Sequence, residues 1–162
     1  MKRISLLATI AAFLIGTTVS AHITVSPQQS KAGATQAYEV RVHNENEKDL
    51  DTTSVVLDVP EGVTVVDVGK PPSGAYTTAK TGTRITSITW RIQIPANKYV
   101  ELPFTAKNPA AAKDLVWNVH QHLAGGSVID WSDKPGALEK PSTTKITAAG
   151  PAPKVEPDHA HQ

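Results

Sequence analysis

Of the six histidines in this 162-residue chain, His22 stands where the chain would start after export. Met1-Lys2-Arg3 is a short basic start, Leu6 to Val19 is mostly apolar, and Val19-Ser20-Ala21 offers the small residues a signal peptidase reads. The run is short and polar at its end, which argues against a membrane span. Cleavage after Ala21 would give His22 a free α-amine beside its ring. The amine and Nδ1 close a small chelate ring on one ion, so the second bond adds little entropic cost. An α-amine titrates near ~7.7–8.0, so a metal can displace its proton at neutral pH. Nitrogen donors in a square arrangement suit Cu(II), which heads the divalent affinity order. The plain alternative is that processing merely leaves a histidine there.

A second pair, His120-Gln121-His122, has the alternation that puts both rings on one face of a strand. If Gly125-Gly126 form a two-residue hairpin turn, Ala124 pairs with Ser127, His122 faces Ile129 and His120 faces Trp131. Those four residues would then share one face, and Trp117, Val119, Leu123 and Val128 would share the core face. Such a His-x-His pair is a two-nitrogen metal site or two exposed rings beside a surface indole. His159 and His161 lie in a Pro-rich end from 149 to 162. Its scarce apolar content predicts a flexible tail, metal-binding or simply solvated.

The elements that must position these groups read as strands. Tyr38, Val40 and Val42 alternate with Glu39, Arg41 and His43; Val55, Leu57 and Val59 alternate again; so do Ile88, Trp90, Ile92 and Ile94, then Val100, Leu102 and Phe104. Further strands are expected over 23–25, 63–68, 115–123, 127–131 and 143–148. Residues 43–49 form a polar loop, 69–74 a long loop, and 108–112 a connection with room for one helical turn. Short, evenly spaced strands punctuated by Gly and Pro predict an all-β, Ig-like sandwich, a single domain over 22–148.

Bulk properties narrow the function. Without residues 1–21 the 16 basic residues become 14 against 15 acidic, a formal charge of −1 with neutral histidines. That balance gives no reason to expect nucleic acid or an anionic membrane surface as partner. The absence of cysteine removes disulfides, thiolate metal sites and a lipidated mature N-terminus. The expectation is a soluble protein, periplasmic or secreted. No catalytic set of known order and no phosphate-binding glycine loop is present, so it is read as a non-enzyme.

Several segments in order resemble the YcnI-like family of exported copper-binding domains, from His22 to about Gly136. They are Ala21 to Pro27, Tyr38 to Glu45, Thr52 to Val63, Ile85 to Trp90, Tyr99 to Phe104 and Gly126 to Trp131. The resemblance implies an Ig-like or CopC-like β-sandwich holding Cu(II) through a single-histidine brace on His22. A glutamate of the loop after the second strand completes the ligands, and a tryptophan lies beside the metal. The family's Asn-Glu pattern falls on Asn44-Glu45 and its tryptophan on Trp131. His43 replaces the family's usual proline, and Glu47 is a second candidate two residues on. His120 and His122 are further candidates. A carboxylate is a good equatorial donor to Cu(II), and an indole, with no lone pair to give, can cover one face of the ion.

The resemblance implies copper delivery, storage or homeostasis, beside a membrane copper transporter or other copper chaperones, with a metal-bridged dimer as a further form. Two readings compete. A copper-dependent oxidative enzyme of the lytic monooxygenase type would use a comparable N-terminal histidine, but this chain is only 5% aromatic, poor material for a flat polymer-binding face. A metal-free envelope interaction domain would be indifferent to loss of His22.

Overall fold

The computed structural model describes residues 22–150; the expected signal segment 1–21 and the tail histidines His159 and His161 lie outside them. Twelve strands follow one another: β1 (Thr24–Ser26), β2 (Gln29–Lys31), β3 (Thr35–His43), β4 (Thr52–Asp58), β5 (Thr64–Val68), β6 (Ala75–Thr81), β7 (Arg84–Ile94), β8 (Tyr99–Lys107), β9 (Lys113–Trp117), β10 (Val119–Leu123), β11 (Val128–Trp131) and β12 (Ser142–Thr147). No helix occurs among the described residues, so 108–112 is an irregular connection with a bend at Ala110-Ala111 rather than a helical turn.

The strands form a four-stranded sheet β1-β3-β8-β5, a five-stranded sheet β11-β10-β4-β7-β6 and a small sheet β2-β12-β9. The expected alternation is what is buried: Tyr38, Val40, Val42, Val55, Leu57, Ile88, Trp90, Leu102 and Phe104 are core, and the residues between them face outward. Period-two patterning suffices there because each strand has one wet and one dry face. Polar bonds fix the buried donors. The buried Tyr38 hydroxyl donates to Asn108 Oδ1 at 2.6 Å, and burial raises its phenol pKa. Trp117 Nε1 donates to Thr144 Oγ1, which donates onward to Pro27 O.

Three sequence expectations are corrected. The apolar-rich stretch 115–123 is two strands, not one. Asn118 separates β9 from β10, which join different sheets, and its carbonyl accepts from Asp58 N. The edge strand β6 is exposed at all but one position and β2 is only three residues long, so periodicity is blind to them. Third, the hairpin turn holds three residues, Ala124 to Gly126. Leu123 N donates to Ser127 O, Gly126 N closes back on Leu123 O, and both glycines have positive φ. The register is therefore His120 with Asp130, His122 with Val128 and Val119 with Trp131. A one-residue slip exchanges the faces. Trp131 points inward at 3% exposure, and Val128, expected in the core, is exposed.

Candidate metal centre

His22 precedes β1, and two sets of bonds fix that approach. On one side β1 pairs with β3, Thr24 with Arg41 and Val25 with Val40. On the other, Val25 N donates to Ser142 Oγ at 2.9 Å at the head of β12. Ile23 and Val25 are buried, so the short strand is anchored by side chains as well as by its ladder. The exposed His22 ring then lies against Trp131, with centroids 6.0 Å apart and planes tilted by 50°. Trp131 comes from the edge strand β11, which lies in the opposite sheet.

The same end of the sandwich carries the 44–51 loop, since β3 runs antiparallel to β1. Its shape comes from two asparagines. Fully buried Asn44 donates from Nδ2 to Leu50 O and Ile94 O. Its Oδ1 accepts from Asn46 Nδ2 and from Gln121 Nε2 across the core. Asn46 Oδ1 caps the backbone N–H of Lys48 and of Leu50. With both asparagines pinned, Glu45 and Glu47 are left exposed. Both line one depression with Ile129, Asp130, Leu138 and Glu139.

The structure thus brings His22 to Trp131, and Glu45 together with Glu47. His22 lines a neighbouring depression with Lys140 and Ser142. Among the described residues no three His, Asp or Glu side chains are gathered into a ready metal cluster. The chain here still carries residue 21 on His22, so the α-amine of the expected chelate does not exist in it. The Trp131 indole N–H is buried without a hydrogen-bond partner, a costly state that an incoming acceptor would relieve.

His120 and His122 sit elsewhere, on the outer face of the five-stranded sheet. His120 does not face Trp131, because the hairpin register places it opposite Asp130. Its Nδ1 contacts Asp130 Oδ1, and its Nε2 lies 3.0 Å from Asp58 Oδ2; Lys134 approaches the same Asp58. Both ring nitrogens are engaged by the protein's own carboxylates. His122 is half-buried on the same face as His120. Sequence reasoning missed this Asp58–His120–Asp130 bridge; the correct hairpin register puts Asp130 opposite His120, while Asp58 reaches the ring diagonally from β4, where Val56 is the paired residue. It also missed Glu139, whose backbone forms a parallel bridge with Trp131.

A family model described as a domain of unknown function, DUF1775, matches residues 22–156. The copper-binding protein CutI of Bacillus subtilis is 33% identical over 133 residues, which is 80% of this chain. The aligned part spans only 64% of that relative's length. Among solved structures, an uncharacterised protein from Nocardia farcinica with an immunoglobulin-like fold superposes with a TM-score of 0.66 at 17% identity. That match covers 78% of this chain and 99% of the other, and at such identity it speaks for the fold alone. With a family model that takes in the whole β-sandwich from His22 onward, this chain belongs to the DUF1775, or YcnI-like, family.

Proposed function

We propose that the protein is exported, is cut between Ala21 and His22, and then binds Cu(II) as cargo through the new α-amine and the His22 ring. Glu45 is the oxygen donor, and Trp131 walls one side. The observation that carries this reading is the His22–Trp131 contact at the end of the sandwich where the 44–51 loop begins. The name of the Bacillus subtilis relative, a copper-binding protein, supports the choice of ion. The donor chemistry fits: an amine and an imidazole suit Cu(II), and a carboxylate offsets part of its charge. The orphan Trp131 N–H fits as well, since a carboxylate drawn toward the ion would give it an acceptor. The biological task that follows is copper delivery, storage or homeostasis outside the cytoplasm, with a membrane transporter or chaperone as exchange partner.

The test uses exported protein whose intact mass lacks Met1–Ala21. Electron paramagnetic resonance of its Cu(II) form should show nitrogen couplings that disappear when one methionine is placed ahead of His22. Undiminished binding by that extended version would overturn the proposal. Glu45→Gln should weaken Cu(II) more than Cu(I), because the harder ion favours oxygen. The same loss from Glu47→Gln instead would move the ligand two residues along the loop.

A further inference from the structure

The segment after β11 is patterned backwards. Leu138 is 96% exposed, and Lys140 is exposed too, while Glu139 between them is half-buried. Burial patterning normally puts the leucine in and the carboxylate out. Turning a charge toward the protein body costs free energy unless a counter-charge meets it. No cation among the described residues pairs with Glu139, although Lys48 lines the same depression.

Glu139 is held in that position by its bridge to Trp131. Residues paired across neighbouring strands present their side chains on the same face, so the carboxylate lies on the indole's side of the segment. Trp131 touches the His22 ring. Glu139 lines the depression of Glu45, and the next residue, Lys140, lines that of His22. Glu139 therefore stands at the partition between the two halves of the candidate centre. A half-buried carboxylate at that point, with no cation paired to it among the described residues, offers oxygen to a cation, and it is the bridge partner of the tryptophan whose buried N–H lacks an acceptor.

We propose that Glu139 is a second carboxylate of the copper site, giving oxygen to the ion from the depression it shares with Glu45. This rests on the copper reading above and deepens it. Two carboxylates on one ion would favour Cu(II) over Cu(I) more strongly than Glu45 alone, because oxygen donors suit the harder ion.

The experiment is competition titration of the processed protein with Cu(II) and, separately, with Cu(I), together with paramagnetic resonance of the Cu(II) form. Glu139→Gln should lower Cu(II) affinity about tenfold, the scale seen when a residue supporting a metal site is lost. It should leave Cu(I) affinity unchanged and shift the Cu(II) hyperfine pattern. Glu139→Asp, which keeps the charge on a shorter arm, should fall between, and both variants should melt with the parent protein. Parental Cu(II) affinity and an unaltered spectrum in Glu139→Gln would overturn the assignment. Should a methionine ahead of His22 leave the parent's binding intact, the brace itself fails. A brace that needs its free amine beside an indifferent Glu139→Gln rejects Glu139 alone.

Discussion

Two histidines of this domain, His22 and His120, meet acidic neighbourhoods in opposite ways. His120 lies across β10 with a carboxylate at each ring nitrogen, Asp130 from one neighbouring strand and Asp58 from the other. The cluster is closed, and Lys134 lies at its edge. At the His22 end, Glu45, Glu47 and Glu139 have no ion pair among the described residues. A buried indole N–H there also lacks an acceptor. Spacing alone favours His120-x-His122 as the metal motif. In three dimensions both ring nitrogens of His120 already have carboxylate partners, which supports the other end as the proposed site.

That contrast breaks most sharply on removing each ring. In the processed protein, His22→Ala should cut Cu(II) affinity by about a hundredfold or more, the upper end of what even supporting residues of a metal site cost. His120→Ala should leave it near the parent value in the same competition titration. Equal losses would mean that the outer-face cluster takes the ion.

Stability should show the reverse order. Without its imidazole, Asp58 and Asp130 lose their shared hydrogen-bond partner, and Lys134 stays near Asp58 alone. His120→Ala should cost about 1 kcal/mol in urea unfolding, the modest size reflecting carboxylates that are each 41% exposed. The loss should shrink in high salt, which screens charge interactions. His22→Ala, at an exposed position, should stay within about 0.5 kcal/mol of the parent.

Much of the sandwich was legible because β3, β4, β7 and β8 each bury one face, and alternation records that directly. The hairpin was misread because Ala124-Gly125-Gly126 and Gly125-Gly126 are equally plausible turns in sequence. Only the bonds from Leu123 N and Gly126 N decide between them. That single residue moved Trp131 from the outer face to the inner one, where it meets His22. The Asn44-Glu45 pair could be read from family resemblance. The reason Glu45 is turned outward could not: it lies in long-range bonds from Asn44 to Ile94 and Gln121. Glu139 carried no signal at all, since its position depends on a lone bridge to Trp131.

Trp131→Phe separates two things the indole can do. Phenylalanine keeps an aromatic wall beside His22 but deletes the N–H that is buried without a partner. In the metal-free protein, removing an unsatisfied donor recovers some desolvation cost, while the smaller ring gives up buried area. These terms oppose each other, so unfolding free energy should change by less than about 1 kcal/mol. If the wall matters only by excluding water, Cu(II) affinity should be nearly unchanged. If the N–H orients a metal-bound carboxylate, affinity should fall several-fold, and the loss should vanish in a Glu139→Gln or Glu45→Gln background. The carboxylate whose removal absorbs the Trp131→Phe effect is the one the indole holds, so the double-mutant cycle assigns the acceptor.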